Sequence, residues 1–339
     1  MSDREDLIIS FLKANGWNPS ARRPLADDAS FRRYERLREG MRTAVLMDAP
    51  PPQEDVRPFV AMSRHLVALG YSAPCITAEN LKDGLLILED LGDHTYTRAL
   101  SETPEREAEL YSTAVDLLID LHGRPAAESI PPGLTTYDVE LLNQEALLLP
   151  DWFLPAITGG PTTAQIRASY LAAWRDSLTQ AANHPPTLVL RDFHIDNLMW
   201  LVDRNGNRAC GLLDFQDAVA GPAAYDLMSL LEDARRDIAP DLIANMIGRY
   251  LAAFPNLNRD AFRTVFAILA AQRHAKVIGI FTRLCVRDAK SAYLLHIPRV
   301  WRLLDASLKH PALDAVAAWF AEHVPPNLRI TPPSPTRQP

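Results

Sequence analysis

The chain carries the stretch LRDFHIDN at residues 190–197 and the stretch LLDFQD at residues 212–217. Between them, two short apolar runs flank the segment DRNGN at residues 203–207, and its Asn-Gly pair is a strong β-hairpin signal. Polar side chains therefore precede and follow a predicted hairpin. Asp192, Asn197 and Asp214 have the order and spacing that phosphoryl transfer requires.

These three side chains divide the chemistry among them. A carboxylate such as Asp192 orients the attacking hydroxyl and takes its proton. Asn197, five residues later, and Asp214, after the second apolar run, offer the oxygen ligands that Mg²⁺ prefers. We therefore predict a catalytic Asp192 with Asn197 and Asp214 as metal ligands. The plain alternative is that all three cap turns, as Asp and Asn commonly do.

The first ninety residues alternate strand and helix signals. A helix is predicted over residues 3–15, and strand character follows at 31–38 and 43–49. Apolar residues at helical spacing then end at Gly70, and a second strand pair is predicted at 75–79 and 85–89. This region therefore reads as an accessory helix followed by a β-β-α-β-β unit.

After Gly92 the pattern becomes mostly helical, interrupted by the predicted hairpin, and continues to residue 324. From Pro325 the chain is rich in proline, threonine and serine, a composition that buries little apolar area. We predict an α+β protein with a small antiparallel-sheet domain at 1–92, a larger helical domain at 93–324 and a disordered tail at 325–339.

Composition and charge indicate a globular protein and disfavour nucleic-acid and membrane binding. Its 339 residues are 47% hydrophobic and 23% charged, which is typical of a globular chain. The net charge of −7 disfavours binding to nucleic acid. The three cysteines lie far apart without metal-site spacing, and no apolar run is long enough to span a membrane. A cytoplasmic protein without membrane or nucleic-acid partners is expected, and neither a GxGxxG nor a Walker phosphate loop occurs.

The two polar stretches resemble those of the aminoglycoside phosphotransferase and choline kinase-like small-molecule kinases. Asp192 matches the catalytic aspartate of that family, Asn197 and Asp214 match its metal ligands, and YDL at residues 225–227 matches the Asp-Leu pair that follows. The residues at 190–191, Leu-Arg, replace the usual His-Gly. The resemblance implies a two-lobed protein-kinase-like fold that uses ATP and Mg²⁺.

The same resemblance assigns a nucleotide site to the small domain. LILEDLG at residues 86–92 would be the hinge that meets adenine, with Glu89 and Leu91 in contact with the nucleotide. DASFRRY at residues 28–34 would be the phosphate-covering loop and its returning strand. Ser30, Arg32 and Arg33 are therefore predicted to bind nucleotide, with an arginine paired to phosphate.

One departure from the family concerns a lysine. The family holds the α- and β-phosphates with a lysine on the third strand, but Met47 stands near that position here. We assign Met47 to the nucleotide site. Either another cation acts in place of the lysine or catalysis is weak, and the first alternative fits the narrower resemblance given next.

A narrower resemblance is to the bacterial sugar 1-kinases of cell-wall recycling. It rests on residues 28–34 and 47–52, on DFQDA at residues 214–218 and on AQRH at residues 271–274. This resemblance implies ATP-dependent phosphorylation of the anomeric hydroxyl of N-acetylmuramate and N-acetylglucosamine, in peptidoglycan recycling.

Substrate contacts are assigned to four side chains, His194, Asp196, Glu145 and Arg273. Basic residues recur at helical spacing from Arg273 to Lys290, on one face of a predicted helix. That face either binds a carboxylate-bearing sugar or is solvated and paired with surface acids.

Other functions stay open at this point. One alternative is another acceptor within the family, as in an aminoglycoside or choline-like kinase. A second is a pseudokinase, which binds nucleotide without turnover. His194 and Asp196 also form the first half of an iron oxygenase site, whose third ligand would be His274, His296 or His310. That site belongs to a β-barrel-like fold, which the helical pattern disfavours.

Overall fold

The structure is a computed structural model that describes residues 3–25 and 31–333. The chain divides into two compact units. The first comprises Met1–Leu117 and Ile195–Ala218, and the second comprises Leu118–His194 and Val219–Pro339.

The first unit is built on a five-stranded antiparallel sheet. Its strands are β1 (Arg22–Pro24), β2 (Arg33–Glu39), β3 (Arg42–Asp48), β4 (Ile76–Asn80) and β5 (Leu85–Leu88). Their order is β1-β2-β3-β5-β4, and the register places Val45 opposite both Arg36 on β2 and Leu88 on β5. The four strands predicted in this region all form, whereas the three-residue β1 lay below the length at which an alternating pattern can be recognised.

Helix α1 (Asp3–Ala14) covers one face of this sheet. Its buried stripe of Ile8, Phe11 and Leu12 has helical spacing and packs with Ala44 and Leu46 of β3. Because side chains alternate across a strand, Val45 and Met47 lie on the opposite face. Val45, on that opposite face, lines a cavity.

The first unit also contains α2 (Arg57–Ala68), α3 (Tyr96–Glu102), the start of α4 (Glu107–Gly123), and the hairpin of β7 (Leu198–Trp200) and β8 (Cys210–Leu212). The hairpin predicted around the Asn-Gly pair is therefore present. The Leu212 N–H donates to the Ser72 carbonyl at 2.9 Å, and the Trp200 N–H donates to the His94 carbonyl at 2.7 Å. These bonds attach the hairpin to the first unit, so the division differs from the predicted boundary at residue 92.

The second unit is mostly helical. Its helices are α5 (Ala126–Ser129), α6 (Val139–Ala146), α7 (Leu154–Thr158), α8 (Ala164–Ala182), α9 (Ala224–Leu231), α10 (Pro240–Ala253), α11 (Arg259–Asp288), α12 (Ile297–Ser307) and α13 (Asp314–His323). A π-helical turn, Leu149–Phe153, precedes α7. One antiparallel strand pair, β6 (Pro186–Val189) with β9 (Val219–Pro222), completes it. The sheet-rich first unit and this helical unit confirm the predicted α+β class.

Helix α11 is the long central helix of the second unit. At Gly279, an added Cβ would lie 2.3 Å from the carbonyl carbon of Leu148, so only glycine permits this close approach. By length and composition α11 could cross a membrane, but 83% of its most apolar window is buried inside the protein. Such burial is typical of the core helix of a globular unit.

The predicted disordered tail is incorrect for residues 325–333. Pro326–Leu328 forms a short 3₁₀ helix, and the Arg329 Nε donates to the Val324 carbonyl at 2.9 Å. The Arg329 guanidinium also pairs with Asp305 and lies over the Trp301 ring. Composition alone missed these contacts, which attach the segment to α12; residues 334–339 lie outside the described residues.

Candidate active site

The turn that follows β6 carries Asp192, in the second unit. The backbone N–H groups of Leu190 and Arg191 donate to the two carboxylate oxygens of Asp226, at 2.7 and 2.9 Å. Arg191 adopts a left-handed backbone, with φ of 69°, which strains a residue other than glycine. Burial raises the pKa of Asp226 to about 7, against the lowering effect of the two donors. Asp226 therefore acts as a structural acceptor that holds the turn.

The Asp192 carboxylate lies among positive charges and retains about a third of its side-chain exposure, 35%. The Arg273 Nη2 lies 3.4 Å from its Oδ1. Burial raises the pKa of this carboxyl, but the charges of Arg273, Lys276, His194 and Arg191 outweigh burial and lower the pKa to about 2. Asp192 is consequently ionised throughout the neutral range.

Arg273 was predicted to contact the sugar, and the structure gives it different partners. Its side chain is only 9% exposed. Besides Asp192, its Nη1 donates to the Arg191 carbonyl and to the Tyr225 hydroxyl, both at 3.1 Å. The guanidinium is thus bonded to the turn that carries Asp192, and its contact with a sugar stays a prediction.

Glu145 was likewise predicted to contact the sugar, but it lies in a buried ionic cluster. The Lys276 Nζ donates to its Oε1 at 2.8 Å, and the Arg191 guanidinium pairs with the same oxygen. The Tyr137 hydroxyl and the Gln272 amide donate to its Oε2. Burial raises the pKa of Glu145, but the charges of Lys276 and Arg191 lower it to about 2. These partners are protein groups and favour a structural role for Glu145, while its predicted sugar contact stays a prediction.

His194 and Asp196 have separate surroundings. His194, in the second unit, is 5% exposed, and burial together with the charge of Arg235 lowers its pKa to about 4. It is therefore neutral at pH 7, and a sugar contact through so buried a ring is disfavoured. Asp196, in the first unit, is half-buried in a short 3₁₀ helix and accepts a hydrogen bond from the Thr97 hydroxyl.

The two predicted metal ligands come together in the first unit. The Asn197 Nδ2 lies 3.3 Å from the Asp214 Oδ2, and the Leu213 N–H donates to the Asn197 carbonyl at 2.9 Å. Asp214 has a left-handed backbone with φ of 56°, and its Oδ1 accepts from the Gln216 amide at 2.5 Å. The hairpin β7–β8 fixes both residues, because Asn197 precedes β7 and Asp214 follows β8.

The donor chemistry of this pair fits Mg²⁺. An amide oxygen and a carboxylate are hard ligands, and Mg²⁺ commonly takes one or two protein carboxylates together with substrate phosphates. Residues 3–25 and 31–333 hold no group of three or more His, Cys, Asp and Glu side chains able to bind a metal by themselves. The third ligand that an iron oxygenase site would need is therefore absent from that part of the chain.

Asn197 and Asp214, the predicted metal ligands, line a cavity of about 430 Å³ in the first unit. Glu89 and Leu91, the predicted hinge contacts, line the same cavity. Its other lining residues are Leu25, Tyr34, Arg36, Val45, Phe59, Pro74, Leu88, Asp90, Gly92, Asp93, Thr95, Met199 and Leu213. Hinge and metal ligands thus share one largely apolar cleft of the size that small ligands occupy.

The family lysine that would hold the phosphates has no counterpart among the described residues that line this cavity. Met47 is fully buried and does not line the cavity, which disfavours its predicted nucleotide contact; Val45, two residues earlier, lines the cavity. The first unit has two lysines in its sequence, Lys13 on α1 and Lys82 in the turn before β5. Neither lysine lines the cavity, whereas Arg36 does.

Two arginines are candidates for the cation that binds phosphate, Arg36 on β2 and Arg32 directly before β2. Arg36 lines the cavity and is held by the carboxylates of Asp90 and Asp93 and by the Gly92 carbonyl. Arg32 pairs with Glu54 at 3.1 Å, and each of these two side chains is 12% exposed. Its guanidinium also interacts with the Tyr34 side chain, which lines the cavity.

The other predicted phosphate contacts have different positions. Arg33 is exposed at the start of β2. Ser30 lies outside the described residues.

Sequence reasoning missed Arg36 and Tyr34 as cavity residues. Their separation by two positions on β2 was the available signal, because alternate residues of a strand face the same side. The cluster around Glu145 had no such signal, since Arg191 and Lys276 lie 46 and 131 residues away along the chain.

Comparison with known proteins supplies an independent view. A model described as the phosphotransferase enzyme family matches residues 21–263. The N-acetylmuramate/N-acetylglucosamine kinase of Caulobacter vibrioides is 37% identical over 97% of this chain and 99% of its own length. The protein of the same name from Pseudomonas aeruginosa is 38% identical, with 91% of each chain covered.

Solved structures agree on the fold. The gentamicin–APH(2″)-IIa complex superposes with a TM-score of 0.60 at 14% identity, covering 92% of this chain and 97% of that one. The ADP-bound aminoglycoside phosphotransferase APH(2″)-Ib gives a TM-score of 0.54 at 16% identity, covering 90% and 97% of the two chains. At these identities the likeness concerns the fold alone, and it confirms the kinase-like fold implied by the sequence resemblance.

Proposed function

The chain belongs to the phosphotransferase enzyme family, and on that premise we propose that it transfers the γ-phosphoryl group of ATP to N-acetylmuramate and N-acetylglucosamine. Relatives that carry this name cover nearly the whole chain at 37% and 38% identity. The observation that supports a kinase most directly is the cavity of the first unit, where the hinge residues Glu89 and Leu91 and the oxygen ligands Asn197 and Asp214 meet. Transfer to the anomeric hydroxyl remains the expectation from the sugar 1-kinase resemblance.

The nucleotide is proposed to bind in that cavity. Its apolar walls, which include Val45, Phe59 and Met199, suit the flat faces of adenine. Asn197 and Asp214 would hold Mg²⁺ through their side-chain oxygens. The bound ion would neutralise charge on the phosphates during transfer.

Arg32 is proposed to bind the phosphates that the family lysine would otherwise hold. It lies within residues 28–34, the predicted phosphate loop and its returning strand, and its guanidinium pairs with Glu54. Arg36 is less suited, because two carboxylates and a carbonyl already engage it. A guanidinium can bind phosphate with two parallel hydrogen bonds, so it can replace the lysine.

Asp192 is proposed to accept the proton of the attacking hydroxyl. The sugar oxygen forms a bond to the γ-phosphorus while the bond between that phosphorus and the β–γ bridging oxygen breaks, and ADP leaves. The hydroxyl proton passes to the Asp192 Oδ and then to solvent. A pKa near 2 suits a group that orients the hydroxyl and takes its proton late, as a loose transition state requires.

The test is turnover with MgATP and each sugar, read by ADP release and by phosphorus NMR of the product. A sugar 1-phosphate shows phosphorus coupled to the anomeric proton. We expect Asp192→Asn to lower kcat at least a thousandfold while sugar binding persists, and Asp203→Asn in the exposed hairpin turn is the matched control.

Three outcomes would contradict parts of this proposal. Phosphate on another hydroxyl would refute the anomeric position. Turnover with an aminoglycoside or choline alone would refute the sugar assignment and leave a kinase. ATP binding without consumption would indicate a pseudokinase.

Dependence on ATP also favours a cytoplasmic location for this protein, and its proposed partner is a small sugar.

A further inference from the structure

Arg273 is placed to fix the turn that carries Asp192. It lies on α11, and its guanidinium reaches three groups of the second unit, the Asp192 carboxylate, the Arg191 carbonyl and the Tyr225 hydroxyl. Its side chain is only 9% exposed. The hydrogen bonds of this guanidinium are therefore made to protein groups, and they hold those groups in position.

The turn needs such support because its backbone is strained. Arg191 has a left-handed φ of 69°, and the N–H groups of Leu190 and Arg191 are fixed by Asp226. Asp226 therefore holds the donors of the turn from α9, while Arg273 holds its acceptors from α11. Strained backbone persists only where surrounding contacts determine it in this way.

We propose that Arg273 is a positioning residue for the transfer reaction. It orients the Asp192 carboxylate through its bonds to that carboxylate and to the Arg191 carbonyl. This inference rests on the proposed role of Asp192 as the proton acceptor. It assigns Arg273 no contact with ATP or with the sugar. Tyr225 extends the arrangement, because its hydroxyl accepts from the same guanidinium nitrogen that bonds the Arg191 carbonyl.

The charges around Asp192 make this role measurable. They comprise Arg191 and His194 on its own loop, Arg273 and Lys276 on α11, and Asp226 on α9, with Glu145 on α6 and Asp233 and Arg235 farther out beside His194. Among the positive charges, Arg273 lowers the pKa of Asp192 most. Without Arg273, the effect of burial is opposed by fewer cations, so the carboxyl should protonate at a higher pH.

The first experiment compares Arg273→Met, Arg273→Lys and the wild type by the pH dependence of kcat and of kcat/KM between pH 5 and 8.5. We expect Arg273→Met to lower kcat 10- to 100-fold and to bring a loss of activity on the acid side into this range. Arg273→Lys should keep the flat acid side, because the charge remains, while kcat stays reduced. The control is Arg263→Met, on the exposed start of α11.

The Kd for ATP separates positioning from collapse of the site. It should stay within twofold of the wild type in both Arg273 variants. A variant with wild-type kcat and pH profile would refute the proposal. So would an effect confined to the KM for the sugar, since that result indicates a sugar contact.

A second experiment does not require turnover. With aspartate labelled at Cγ by carbon-13, the Asp192 resonance is identified by its loss in Asp192→Asn. We expect it to be flat from pH 8 to 5 in the wild type and to titrate in that range in Arg273→Met. A flat resonance in both proteins refutes the role of Arg273, whereas a wild type without kinase turnover refutes the proposed function alone.

If Arg273→Met does not fold, Tyr225→Phe takes its place. This change removes only the phenol oxygen that accepts from Arg273. We expect a 3- to 10-fold lower kcat with the Kd for ATP unchanged, and an unchanged kcat would contradict the arrangement.

Discussion

Replacing Glu145 by glutamine tests whether this residue is structural or binds substrate. Its carboxylate faces Lys276 and Arg191 at 6% residue exposure. A carboxyl whose pKa falls from 4.5 to about 2 on folding contributes about 3 kcal/mol at pH 7, because each pKa unit corresponds to about 1.4 kcal/mol. That contribution is present above pH 4.5 and is lost as the pH falls towards 2. We therefore expect Glu145→Gln to destabilise the protein by about 3 kcal/mol at pH 7.

A double-variant cycle with Lys276→Met sharpens this expectation. Glu145→Gln leaves two buried cations without their shared carboxylate, and Lys276→Met removes one of them. The double variant should therefore be at least as stable as Glu145→Gln alone, with a coupling of about 1–3 kcal/mol between the two positions.

The assay is urea unfolding at pH 7, with Glu140→Gln on the exposed face of α6 as the control, expected within about 0.5 kcal/mol of the wild type. Additive effects of the two changes would refute the ionic cluster. Unchanged stability with a raised KM for the sugar would restore the substrate contact that the sequence suggested.

Three further changes test other parts of the site. Asp214→Asn should raise the Mg²⁺ concentration for half-maximal activity at least tenfold, and an unaltered Mg²⁺ titration would contradict its role as a ligand. Arg32→Ala should weaken ATP binding about tenfold while adenosine binding is unchanged; calorimetry measures both, and exposed Arg33→Ala is the matched control. Asp226→Asn should cost about 2 kcal/mol in urea unfolding, because an amide has one oxygen for two backbone donors; a loss below about 0.5 kcal/mol would be inconsistent with that contact.

Local patterns were enough to predict the strands and the metal pair. Strands β2 and β3 follow from strand-forming residues joined by Glu39-Gly40, and the hairpin β7–β8 follows from its Asn-Gly pair. Asn197 and Asp214 are adjacent because that hairpin brings its two ends together. Glu89 and Leu91 were predicted as hinge contacts from the family resemblance, and both line the cavity.

The buried charges could not be predicted in this way. Basic residues at helical spacing usually face water, yet Arg273 and Lys276 are 8% and 6% exposed, whereas Arg287 on the same helix is exposed. Their partners Asp192 and Glu145 lie 81 and 131 residues away in sequence. Periodicity reports which residues share a helix face, and only tertiary packing decides what that face meets.

The left-handed backbone at Arg191 restricts which residues can replace it in related proteins. Glycine, which the family usually has there, adopts such a φ freely, and arginine pays about 1–2 kcal/mol for it. The ion pair with Glu145 offsets that strain. An arginine at position 191 without Glu145 keeps the strain but lacks the ion pair. A glutamate at position 145 facing a glycine at 191 lacks its cationic partner. Positions 145 and 191 are therefore expected to covary when related sequences are aligned.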